Sequence, residues 1–168
     1  MIFRKGTLQD LKDIQSIISD AKKYLKDSGV TQWVGEYPSE ELLTNDINSG
    51  ESYVAVENGE ILGTCLISFQ EEPSYNNIYD GAWLTLNSYA VIHRLAVKKT
   101  SRNKNVASKL LDFAKDLALE NNIHSLKIDT HKDNSTMKKL MEKNDFIYCG
   151  RIILSDNSER IAFEKVLS

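Results

Sequence analysis

Apolar and polar positions along the chain change period several times, and each change marks an element. Ile2–Lys5 reads as a short strand. Thr7 is a good N-cap for a helix that carries Leu8, Leu11, Ile14, Ile17, Ile18, Ala21 and Leu25 on one face. Ser28 and Gly29 end that helix, and an aromatic loop over 30–38 leads to Ser39, which caps a second helix running to about Asn48. From Glu51 the period falls to two. Strands over 53–56 and 61–69 flank Asn58-Gly59, a strong hairpin signal. Residues 70–88 show no period and form a long loop, which in a compact domain tends to be functional or mobile. Tyr89–Val97 then reads as a largely buried strand, and apolar residues at 106, 107, 110, 111, 114, 117 and 118 give one helical face. A strand over 125–130, a helix over 134–144, a strand over 146–154 and a last strand over 161–166 complete the chain. The order β-α-α-β-β-β-α-β-α-β-β predicts a mixed α/β layer fold with a largely antiparallel sheet, in a single domain over residues 1–168.

Composition narrows the class. At 168 residues the chain can bury roughly two thirds of its unfolded surface. Hydrophobic residues at 41% and charged residues at 27% are ordinary for a soluble globular domain. A net charge of −3 argues against a general nucleic-acid binder. No run of eighteen apolar residues or signal-peptide pattern appears, so no membrane partner is expected and a cytoplasmic location is the default. Cys65 and Cys149 are spaced for neither a zinc site nor a disulfide framework and read as packed thiols; no metal is expected.

Against that acidic background the turn after Val97 stands out, because Lys98, Lys99, Arg102 and Lys104 precede a helix whose first backbone N–H groups have no intrahelical partner. Free N–H groups, the helix dipole and added cations suit a polyanion such as a pyrophosphate. On charge alone a solvated basic loop is the alternative. The stretch Arg102-Asn-Lys-Asn-Val-Ala107 resembles the Arg/Gln-x-x-Gly-x-Gly/Ala loop of the GNAT superfamily of N-acetyltransferases, preceded by that family's Leu-Ala-Val strand. A second block, Lys127–Asn134 followed by Met137, Leu140 and Glu142–Phe146, is similar to the family's Asn-x-x-Ala…Glu-Lys-x-Gly-Phe segment. The likeness is strongest over residues 89–153.

The resemblance implies the GNAT fold and transfer of the acetyl group of acetyl-coenzyme A to a primary amine of a small molecule or peptide. It assigns the pantetheine arm to the backbone of Leu95, Ala96 and Val97, where the family's strand carries a bulge. It assigns the pyrophosphate to Arg102 and the backbone of Asn103, Lys104, Asn105, Val106 and Ala107. Asn134 matches the family's pantetheine-contacting asparagine, and a helix N-cap is its other reading. Asn105 stands where the family usually has glycine, and Asn is the residue that best tolerates the left-handed conformation in its place. Met141 stands where many members carry the tyrosine that protonates the leaving thiolate, a role a thioether cannot fill. Tyr148 is the candidate replacement, with packing as its alternative, and Asp145 takes the place of another usual glycine.

His93 is the candidate base, since imidazole titrates near neutral pH; a hydrogen-bonded core histidine is the alternative. His131 is an outside candidate and His124 a strand-edge residue. Trp33 with Tyr37, Tyr79 with Trp83, and Tyr89 are aromatic patches that could line the acceptor pocket, or could simply anchor loops. A homodimer is compatible with the resemblance. The rival from another class is a non-catalytic acyl-coenzyme A-binding regulatory module, for which Met141 and Asn105 speak.

Overall fold

A computed structural model describes all 168 residues, and they form two compact units. The first comprises residues 1–67 and 93–113, the second 68–92 and 114–168. Seven strands and four helices follow the expected order: β1 (Ile2–Lys5), α1 (Leu11–Asp27), α2 (Glu40–Asn48), β2 (Ser52–Glu57), β3 (Glu60–Ser68), β4 (Ala90–Val97), α3 (Val106–Glu120), β5 (Ser125–Thr130), α4 (Ser135–Lys143), β6 (Ile147–Ile153) and β7 (Glu159–Val166). No helix is long and apolar enough to cross a membrane.

In the first unit the strands lie in the order β1-β2-β3-β4, with β1–β2 and β2–β3 antiparallel. The β2–β3 hairpin turns through Asn58 and Gly59, both with positive φ (52° and 78°), the geometry that matches the right-handed strand twist. Ile14, Ile17 and Ile18 of α1 and Leu43 and Ile47 of α2 pack on Val54, Val56, Ile61 and Ala96 of the sheet as one buried cluster. Each of the Ile, Leu and Val side chains contributes about 1.5–3 kcal/mol of burial. Phe113 of α3 closes the other side, with its ring 5.4 Å from those of both Phe3 and Tyr53.

One expectation fails at the start of α1. The buried Asp10 carboxylate accepts from Thr7 N–H (2.7 Å), Thr7 Oγ1 (3.1 Å) and both arms of Arg4 (2.7 and 3.0 Å). Those bonds wind residues 8–10 into a 3-10 turn, which rotates Leu8 off the apolar face and leaves it 57% exposed.

In the second unit the order is β4-β5-β7-β6, with β5–β7 and β6–β7 antiparallel and β4–β5 parallel. The β4–β5 ladder covers Ala90 and Val91 alone. The long loop expected to be functional or mobile is a strap tied down along its length. The Tyr75 hydroxyl donates to Asp129 (2.7 Å), Trp83 Nε1 donates to the Tyr75 carbonyl (2.8 Å), and the Tyr89 hydroxyl accepts from Glu72 N–H (2.8 Å). Further along, the fully buried Glu164 of β7 accepts from Leu84 N–H (2.6 Å), Thr85 N–H and Oγ1 (3.3 and 2.5 Å) and Ser125 Oγ (2.7 Å). Buried Lys127 lies 4.3 Å above the rings of both Trp83 and Tyr89, and burial pulls its pKa below the ordinary lysine value. Gly81 comes so close to β6 that an added Cβ would sit 2.0 Å from the Cys149 carbonyl oxygen. Sequence period gave no hint of this strap, because its bonds are set by single residues, many of them distant in the chain.

The Asp10 cluster makes a pH-dependent prediction. Hydrogen bonding from Arg4 holds the Asp10 carboxyl below the usual range. A carboxyl with a lowered folded-state pKa contributes stability above its unfolded value of about 3.9, and that contribution is lost as pH falls through the lower folded value. Asp10→Asn therefore costs about 1–2 kcal/mol at pH 7 in urea melts, and the difference from the parent shrinks as pH is lowered below about 4. A difference that stays constant down to pH 2 contradicts the charge-based account.

Candidate cofactor and acceptor site

The site is built from the end of β4 outward. After Val97 the chain makes a bond from Lys98 N–H to the Leu62 carbonyl (2.7 Å), runs through a 3-10 turn over Lys99–Lys104, and enters α3 through Asn105 at φ 60°, ψ 28°. That left-handed residue is what lets a strand, a tight turn and a helix follow one another within a few residues. Helix α3 sits unusually close to β3, and Gly63 is the reason. A Cβ there would lie 2.8 Å from Val106 Cγ1, 3.1 Å from Leu110 Cδ1 and 3.3 Å from the Ala96 carbonyl oxygen. The first turn of α3 is thereby held beside the end of β4.

The turn carries less free charge than the sequence suggested. Lys98 is bonded to Glu60 and Lys104 to Glu57 (3.0 Å), both from the β2–β3 hairpin, and each lysine holds its glutamate below the usual carboxylate range. Arg102 lies over the Tyr24 ring, 4.7 Å from its centre. Of four cations in the turn two are answered by acids, leaving Lys99 and Arg102 without a carboxylate partner.

Within β4 the backbone breaks its regular course at Arg94, which has φ 51°. His93 and Arg94 are half-buried, while Leu95 and Ala96 are buried. The Arg94 guanidinium donates from Nε and Nη2 to the two oxygens of Asp46 on α2, each at 2.8 Å, and from Nη1 to the Tyr37 hydroxyl at 3.0 Å. Burial lifts the Asp46 carboxyl while Arg94 pulls it down. Tyr37 is exposed, next to a cis Tyr37–Pro38 bond, and Trp33 packs at the margin of the α1–α2 core with φ 58°. The structure thus brings His93, Arg94 and Tyr37 to neighbouring elements of one unit. Sequence reading missed Arg94 and Asp46, although both carry a signal: Asp46 falls in the buried stripe of α2 between Leu43 and Ile47, and Arg94 interrupts an otherwise apolar strand.

The second unit holds the other candidates. Asn134 is buried and caps α4, its side chain accepting from Met137 N–H at 3.1 Å. Met141 is fully buried, and Asp145 sits at φ 63°, which explains the glycine usual at that place. Tyr148 is half exposed on β6, edge-on to Phe163, in an open pocket of about 640 Å³ lined also by Lys132, Lys138, Glu142 and Ile161. Tyr79 exchanges two 2.8 Å backbone bonds with Arg151 and leaves its ring exposed, whereas Trp83 is spent on the Tyr75 and Lys127 contacts above. His131 Nδ1 accepts from Asp133 N–H (3.0 Å), and burial together with Arg160 lowers its pKa. Both cysteines are buried, and burial pushes the Cys65 thiol up to about 12.

A kinked strand, a left-handed turn residue and a helix N-terminus thus follow one another within one stretch of chain. The chain belongs to the acetyltransferase (GNAT) family, whose model matches residues 15–146. It is similar in structure to a GNAT-family acetyltransferase from Streptococcus agalactiae 2603, with a TM-score of 0.90 and 27% identity over 99% of this chain and 95% of that one. A GNAT-family acetyltransferase from Listeria monocytogenes 4b F2365 shares the fold at TM-score 0.75 and 19% identity, covering 99% of this chain and 94% of that one. So does a ribosomal-protein-alanine N-acetyltransferase from Brucella melitensis, at TM-score 0.66 and 17% identity over 99% of this chain and all of that one. No curated protein sequence matches the chain.

The seat of α3 can be tested without any ligand. Gly63→Ala forces α3 away from the sheet and costs about 1–3 kcal/mol in denaturant melts. Asn105→Gly melts within about 0.5 kcal/mol of the parent, whereas Asn105→Val loses more than about 1 kcal/mol, because a β-branched residue resists the left-handed region. Parent-like melting of both Gly63→Ala and Asn105→Val contradicts the geometry.

Proposed function

We propose that this protein transfers the acetyl group of acetyl-coenzyme A to a primary amine of a small molecule or peptide, by direct attack and without an acyl-enzyme. The observation that carries the reading is the β4–turn–α3 unit, where Gly63 seats the helix and Asn105 holds the left-handed turn in place of glycine. These residues fit the cosubstrate. Arg102 and the backbone of Asn103, Lys104, Asn105, Val106 and Ala107 hold the pyrophosphate, and the backbone of Leu95, Ala96 and Val97 pairs with the pantetheine arm, with Asn134 contributing its side chain. Acetyl-coenzyme A supplies an activated thioester. The chain supplies position, which can be worth several kcal/mol, and a backbone N–H of β4 to polarise the thioester carbonyl.

An amine acceptor arrives as an ammonium ion and must lose a proton before it can attack. His93, one residue before the kink, takes that proton, and Tyr148 returns one to the departing thiolate. Trp33 and Tyr37 line the acceptor side, with Tyr79 and Trp83 as the second aromatic patch. The reaction needs no metal. The fully buried Met141, at a place where the family often has a proton-donating tyrosine, favours one second reading: a module that binds acyl-coenzyme A without turnover.

Calorimetric titration with acetyl-coenzyme A gives micromolar binding to the parent, and Arg102→Ala weakens it about tenfold, the 1.4 kcal/mol expected for one charged contact. No binding by the parent sinks the reading. Steady thiol release with a member of an amine panel separates the enzyme from the silent module. In that assay His93→Ala flattens the rise of rate over pH 6–8 with little change in cosubstrate affinity, and an unchanged profile removes His93 as the base.

A further inference from the structure

Arg94 combines two costly features. A non-glycine residue in the left-handed region is strained, and such strain persists only where the surroundings impose it. Its side chain and that of Asp46 are also withdrawn from water, with relative exposures of 10% and 11%. A buried ion pair contributes little net stability over an apolar pair of the same volume, so stability alone accounts for neither feature.

The geometry joins them. The guanidinium meets Asp46 in a paired, parallel fashion, Nε to Oδ2 and Nη2 to Oδ1, which fixes its orientation as well as its distance. The third bond, to the Tyr37 hydroxyl, reaches the loop between α1 and α2. One side chain therefore ties β4, α2 and that loop at the point where β4 leaves its regular course. In a regular strand successive residues face opposite sides, and a left-handed residue breaks that alternation for the backbone that follows. The burial along β4 shows the break: Ala90–Ile92 are buried, His93 and Arg94 half-buried, Leu95 and Ala96 buried again.

We propose that Arg94 is a positioning residue for acetyl transfer, whose clamp on Asp46 and Tyr37 holds the kink in β4, sets the direction of the Leu95–Val97 backbone, and fixes the acceptor loop to the same point. This rests on the transfer reading above. Arg94 touches neither cosubstrate nor acceptor in this account. It acts through β4 and Tyr37.

The test uses variants that separate position from stability. Replacing the pair by apolar side chains, Arg94→Met with Asp46→Leu, removes the clamp while leaving no buried charge, so the double variant melts near the parent. Its turnover at a temperature well below melting falls about 10- to 100-fold, the scale of a small misplacement, and its acetyl-coenzyme A affinity falls with it. Arg94→Gly, which enters the kink without strain, recovers more cosubstrate affinity than Arg94→Ala. Two-dimensional amide spectra of the same variants show Leu95, Ala96 and Val97 shifted in Arg94→Ala and nearer the parent in Arg94→Gly. A double variant that binds and turns over like the parent, or Gly and Ala variants that behave alike in both affinity and spectra, overturns the clamp and leaves the transfer reading standing. A parent that binds no acetyl-coenzyme A overturns both.

Discussion

Backbone N–H and C=O groups must find partners, and almost all of this structure satisfies them with its own ladders and helices. The β4–β5 ladder covers only Ala90 and Val91, and α3 opens with N–H groups that no carbonyl of the helix can meet. A ligand made of amides and phosphates is the natural complement of such a run. The apolar packing of α1, α2 and α3 on the sheet holds that run still, and Gly63 brings the helix close enough for strand end and helix start to act together.

Electrostatics refine this arrangement. The chain is acidic, yet its turn at 98–104 is basic, and two of the four cations are already answered by Glu57 and Glu60 of the neighbouring hairpin. That pairing keeps a cation-rich turn from destabilising itself and leaves Lys99 and Arg102 as the residues without an acid. An anion arriving there adds to a partly neutralised surface, so its binding depends more on directed N–H groups than on raw charge. In the second unit polar groups do a different task. Glu164, Asp129 and Lys127 fasten the strap through side-chain bonds and ring contacts, in a stretch whose only secondary structure is a 3-10 turn over Pro73–Asn76 and a bridge from Tyr79 to Arg151.

Element type was legible because periods are local: the amphipathic stripe of α1, the alternation of β2 and β3, and Asn58-Gly59 each speak within a short window. The shape of the turn before α3 was legible too, since Asn105 takes the left-handed conformation that the family obtains from glycine. What escaped were pairings between distant residues. Arg94 with Asp46, Lys104 with Glu57 and Glu164 with Thr85 lie 48, 47 and 79 positions apart. Leu8 misled because a 3-10 turn, set by Asp10, changed the phase of the helix by a fraction of a turn. A charged residue inside an apolar stripe, as at Asp46, is the one local mark such pairings leave.

The central claim is that backbone groups of β4 and of the α3 turn hold acetyl-coenzyme A. Amide hydrogen exchange of the parent protein with and without the cosubstrate tests it most directly. The account predicts new protection at Leu95, Val97 and Asn103–Ala107, with β1, β2 and the strap unchanged. Protection confined to the pocket around Tyr148, or none at β4 and the turn despite saturation, would contradict it.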